Sequence, residues 1–215
     1  MTDDERWKLW NQWLETILED VQTALIYRRI FREVRAMIDS NPRIQKASSF
    51  YDWMAGVYAD SGLMAVRRQR GIDERAVSME RLLADIRKNP QVLSRARFVA
   101  LYRPEMKDAA QREFDSYVGS GAQHVDPRAV QGDLDALRKL TDDVERYGTK
   151  QVAHLDETGP KTVPTMGELE AAIDLLGALL KKYMLLIRAI SYHEPEWTYD
   201  WKAIFREPWI PPDAA

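Results

Sequence analysis

Three histidines stand in this chain, at 124, 154 and 193, and one of them closes a run that carries cations at regular intervals: Arg146-Tyr-Gly-Thr-Lys150-Gln-Val-Ala-His154-Leu-Asp156. If the run is α-helical, Arg146, Lys150 and His154 follow at four-residue steps and share nearly one face, since such neighbours are offset by only about 40°. A row of cations ending in an imidazole can hold a phosphate. The chemistry that suits it is phosphodiester cleavage in RNA, with His154 moving a proton while Arg146 and Lys150 stabilise the charge that develops on phosphorus. The same residues suit a histidine packed at a helix end with both cations solvated, because like charges four apart are ordinary on a helix surface. Residue types alone leave both readings open.

Other chemistries are excluded more firmly. The chain has no cysteine, so disulfides, thiolate zinc sites and cysteine nucleophiles are ruled out. Its histidines are scattered without metal-ligand spacing, and it has no glycine-rich phosphate loop, paired histidine-glutamate motif or serine elbow. No metal or cofactor is therefore expected. A formal net charge of −3 gives no global attraction to nucleic acid, so any RNA contact must come from a local basic patch. Arg28, Arg29, Arg32 and Arg35 form one such group, and Arg67, Arg68, Arg70 and Arg75 another. Arg67 and Arg68 are the RNA-binding candidates. The structural alternative is that helix-end arginines complement the helix dipole and cover apolar neighbours.

The elements that must position these residues read as helices throughout. With 215 residues, 45% hydrophobic and 30% charged, the composition is that of a soluble globular protein, expected as one domain over 1–215. No apolar run approaches the roughly 18–20 residues that span a bilayer. The start Met-Thr-Asp-Asp-Glu lacks signal-peptide features, so a cytoplasmic location is expected. Apolar residues recur at Trp7, Trp10, Leu14, Ile17, Val21 and Ala24 in steps of three and four, which predicts a long helix over 6–39, ended at Asn41-Pro42. A second helix is expected over 49–69, with Phe50, Trp53, Met54, Val57, Tyr58 and Met64 as core residues. Ser78 reads as the cap of a short helix ended by Asn89-Pro90, and helical patches follow at 95–102 and 104–118 before a Gly-Ser-Gly loop. Asp126-Pro127 opens another helix that Gly148 kinks or interrupts, and Thr165 with Glu168 caps the last long one, about 166–191. That last helix is apolar around much of its girth, which fits a central helix or a dimer face. The Trp- and Pro-rich segment 193–215 is expected to pack back on the bundle and bury Trp197, Trp201 and Trp209. The architecture is all-α, a bundle of about six to eight helices.

Four stretches, Ser49-Phe-Tyr-Asp-Trp-Met-Ala-Gly-Val-Tyr58, Val66-Arg-Arg-Gln69, Val77-Ser-Met-Glu-Arg-Leu-Leu83 and Lys150-Gln-Val-Ala-His-Leu-Asp156, occur in an order and spacing that resemble the AbiU2-like branch of the HEPN superfamily, across roughly residues 6–210. The resemblance implies a HEPN-like helical bundle, a homodimer, and a toxin or abortive-infection factor that cuts RNA without metal and has an antitoxin-type protein partner. In active members an arginine and a polar residue precede the histidine by a short gap, the arginine holding the phosphate while histidine assists attack by the RNA 2′-hydroxyl. Aligned on this pattern, His154 carries over, whereas Gly148 and Thr149 occupy the arginine and polar positions and Arg146 lies farther upstream. Arg146 then substitutes only if Gly148 loosens the helix, and Gly148→Arg is expected to raise activity where the helix accepts it. The competing expectation is a non-catalytic helical dimerisation or binding module.

Overall fold

Side-chain caps mark where most of the helices of this protein begin. The computed structural model describes residues 1–71, 73, 75–153, 162–194 and 199–209, and of residues 151–153 the backbone alone. α1, Asp3–Ser40, starts behind a capping box in which the Thr2 hydroxyl accepts from the Glu5 backbone N–H and the Glu5 carboxylate accepts from that of Thr2. Ser48, Ser78 and Ser94 cap α2, Ser49–Gln69, α3, Met79–Lys88, and α4, Arg95–Ala100. α5, Lys107–Val118, stops at Gly119, whose φ of 100° suits glycine. Asp126 and Pro127 open α6, Pro127–Tyr147, as their order in the sequence predicts. A second capping box, Thr165 with Glu168, opens α7, Met166–Arg188, which Ala189 ends in the left-handed region, three residues earlier than expected. Short 3-10 turns cover Pro90–Val92, Pro104–Met106 and Trp201–Arg206. Among the described residues there is no strand, only an isolated bridge between Ser94 and His124.

The molecule is thus an all-α helical bundle, and α7 lies at its centre. α7 packs on α1, α2 and α6, and buries Leu169, Ile173, Leu176, Leu180, Tyr183 and Ile187 among others. Its apolar girth is therefore core, and the dimer-face alternative for this helix is overturned. α1 and α2 form an antiparallel pair, joined by Arg68–Asp20 at one end and by the stacked rings of Phe31 and Tyr58, 4.2 Å apart, further along. α3 lies on α6 and is pinned to α1 through Asp85, which accepts from Arg6 at 2.6 Å and from the Trp10 indole at 2.7 Å. No described helix is long and apolar enough to cross a membrane.

Two expectations fail at the far end of the α1–α2 pair. Tyr58 is buried, but Trp53 is 61% and Val57 51% exposed, and Phe50 is exposed as well. Beyond the Phe31–Tyr58 stack, no side chain of either helix is fully buried. The periodicity of α2 correctly reports an apolar face; what it cannot report is that the core ends at Tyr58. Trp209 is 57% exposed and Trp201 half-buried, while Trp197 lies outside the described residues. Trp209 stacks one ring face on Phe205 and meets Phe50 edge-on, which covers it on one side only. The described part of the C-terminal segment does reach the helical pair, through that contact and the 2.7 Å pair of Lys202 with Glu33.

Candidate functional site

The cation-rich run does not continue as an α-helix. α6 ends at Tyr147, and Gly148–Ala153 winds on as a π-helix. A π-helix closes i→i+5 hydrogen bonds, so four-residue spacing no longer stacks side chains as it does in an α-helix. Such segments concentrate at functional sites. The shared face expected for Arg146, Lys150 and His154 rests on unbroken α geometry, and that premise fails at Gly148. His154 itself lies outside the described residues.

Gly148 is buried against α2. A Cβ built on it would come within 3.3 Å of the Leu63 carbonyl oxygen, a backbone atom that cannot swing aside. The condition attached to Gly148→Arg, that the helix accept it, is therefore demanding, because an arginine stem would have to push α2 away from this segment. The same contact also explains why the position is glycine. The helix pair comes close to backbone contact there, and a side chain fits only if the Leu63 backbone gives by a few tenths of an ångström.

The close approach brings α2 side chains to the π-helix. Arg67, one turn beyond Leu63, donates from Nε to the Thr149 hydroxyl at 3.0 Å, and Thr149 donates in turn to Glu145 at 2.9 Å. No described carboxylate lies in ion-pair range of Arg67, so its terminal guanidinium nitrogens retain donors for an anion. Lys150 sits half-buried on the same short segment. Arg146 instead faces solvent, 59% of its side chain exposed, and pairs with Asp143 on its own helix at 3.1 Å.

Arg67 and Arg68 do not form one site. Adjacent helical residues point about 100° apart, and Arg68 turns to α1, where Nε and Nη2 both bind Asp20. The remaining arginines of both basic groups are mostly structural. Arg70 joins Glu80, Thr141 and Asp142. Arg28 pairs with Asp174, and Arg32 with Glu170 at 2.8 Å. Sequence reasoning missed Thr149 as the partner of Arg67, and Glu145 as the acceptor behind Thr149. Their only signal was the polar residue that follows Gly148. Among the described residues, no group of three or more His, Asp or Glu side chains converges as a metal site. No family model matches this chain, and neither a curated protein nor a solved structure does.

Proposed function

We propose that this protein is a metal-independent endoribonuclease of the HEPN type, of the AbiU2-like branch that its motifs resemble, acting in bacterial stress or phage defence. The observation that carries the reading is Arg67: a guanidinium with no carboxylate partner among the described residues stands beside Thr149, where the sequence pattern asks for an arginine and the chain has Gly148. On this reading the phosphate-holding cation comes from α2 instead of from the histidine's own segment. Arg67 and Lys150 hold the scissile phosphate, and Arg146 at the surface adds attraction at longer range. His154 accepts the proton of the RNA 2′-hydroxyl as that oxygen attacks phosphorus, and the bond to the 5′-oxygen breaks. The products are a 2′,3′-cyclic phosphate and a 5′-hydroxyl that regains the proton.

The test incubates the protein with single-stranded RNA in the presence of chelator. His154→Ala abolishes cleavage, Arg67→Ala lowers the rate by roughly 10²–10³, and single-stranded DNA survives because it lacks the nucleophile. Equal cleavage by wild type and His154→Ala, or cleavage of DNA, overturns the mechanism. A second reading, a non-catalytic dimerisation or binding module, is favoured by the apolar face left uncovered on α1 and α2, and the absence of cleavage by wild type selects it.

A further inference from the structure

The arginines at the end of α2 and just beyond it are not held alike. Arg68 binds Asp20, Arg70 binds Glu80 and Asp142, and Arg75 binds Asp73, each by a direct ion pair. Among the described residues, Arg67 alone of this group meets no carboxylate directly. A hydroxyl holds it instead, and the acid stands one step behind: Arg67 Nε donates to Thr149 Oγ1 at 3.0 Å, and that hydroxyl donates to Glu145 at 2.9 Å. The chain of bonds joins three elements, with Arg67 in the last turn of α2, Glu145 in the last turn of α6 and Thr149 in the π-helix.

A carboxylate that takes guanidinium donors directly also offsets much of the positive charge. The Thr149 hydroxyl takes one donor and, being neutral, leaves the charge intact. It can accept from Arg67 only while its own proton is turned elsewhere, because a hydroxyl carries a single O–H that rotates to suit its neighbours. Glu145 supplies the acceptor that holds this proton, so that a Thr149 lone pair faces the Nε–H. Hydrogen bonds in series polarise one another, so the Glu145 charge also strengthens the bond to Arg67 without touching it. With Nε engaged, Nη1 and Nη2 keep their donors in a plane whose orientation the Nε bond fixes.

We infer that Glu145 is a positioning residue of the ribonuclease site: acting through Thr149, it turns the Arg67 guanidinium so that the Nη donors meet the scissile phosphate with their charge uncompensated. The inference rests on the ribonuclease reading and adds to it a residue that acts without touching the substrate. Glu145 lies outside the arginine, polar and histidine positions of the motif that the chain resembles.

The test compares Glu145→Gln, whose amide carbonyl still accepts from Thr149, with Glu145→Leu, which accepts nothing, on single-stranded RNA in the presence of chelator. Both remove the same negative charge, so a merely electrostatic role moves them together, towards tighter binding of RNA. Positioning separates them. Glu145→Leu lowers kcat by roughly 10–100-fold with KM unchanged or lower, the scale of a misplaced contact, whereas Glu145→Gln keeps most of the wild-type kcat. In the Arg67→Ala background Glu145→Leu lowers kcat no further, because the group it orients is gone. Exchange of the Arg67 Nε proton with water, followed by heteronuclear NMR of the full chain, reports the same geometry without catalysis: it is slow in wild type and Glu145→Gln, and fast in Glu145→Leu and Thr149→Val. Equal kcat in wild type and Glu145→Leu, equal losses in the two variants, a loss that adds to that of Arg67→Ala, or an Nε proton indifferent to residue 145 overturns the inference and leaves the ribonuclease reading standing. A wild type that cleaves no RNA overturns both.

Discussion

Trp10 and Trp53 lie on helices that pack against each other, each at an apolar position of a three-four pattern, yet they live in different environments. Trp10 is fully buried and its indole N–H donates to Asp85, whereas Trp53 faces outward beside a groove. The phenols at the two ends of the bundle repeat the contrast. Tyr183, buried on α7, donates to Asp133 at 2.7 Å, while the Tyr58 oxygen is buried with no hydrogen-bond partner among the described residues. Where the core is complete, Trp10 and Tyr183 have their polar atoms satisfied. Where it stops, one hydroxyl is stranded and the next aromatics are in water.

The largest test of this contrast is truncation. Trp10→Ala is expected to lower unfolding free energy by roughly 3–5 kcal/mol, and Trp53→Ala, read by denaturant titration at concentrations too low for association, to change it by no more than about 0.5 kcal/mol. Comparable losses at the two positions would mean that the core extends past Tyr58. The next largest effect belongs to Gly148, where overpacking against the Leu63 carbonyl should make Gly148→Arg cost roughly 1–3 kcal/mol. Full stability in that variant would show that α2 and α6 part easily.

The phenols give the smallest and sharpest comparison. Tyr183→Phe removes a bonded hydroxyl and should cost about 1 kcal/mol, and Tyr58→Phe removes a stranded one and should gain about as much. Burial first, then the Glu170 charge, pushes the Tyr58 phenol from 10.0 up to about 12. Its contribution is therefore complete below pH 10, where the phenol is neutral in both folded and unfolded chains. It is lost as pH rises towards about 12, because the unfolded phenol ionises first. Burial raises Tyr183 as well, so stability falls along this alkaline limb in wild type and falls less steeply in Tyr58→Phe. Identical alkaline profiles would remove Tyr58 from the account.

Helix ends were readable in the sequence because caps are local. Ser78, Asp126-Pro127 and the Thr165–Glu168 box each satisfy backbone donors within three residues. The fate of the Trp53 face was not, since an apolar stripe is the same whether another helix covers it or not. The candidate site was half readable. Its basic residues were visible, but the pairing that organises them joins Arg67 to Thr149, 82 positions apart, and depends on a glycine contact between helices that no local pattern announces.

The π-helix gives the segment after α6 an angular setting that residue counting does not supply. A π segment holds a residue in excess of regular α winding. Deleting one residue within Gly148–Ala153 would let α6 run on as an α-helix and rotate the rest of that segment by about 100° relative to α2. Substitutions leave this phase untouched, whereas a single-codon deletion resets it. The winding of Gly148–Ala153 should therefore depend on the length of that segment more than on which side chains it carries, Gly148 apart.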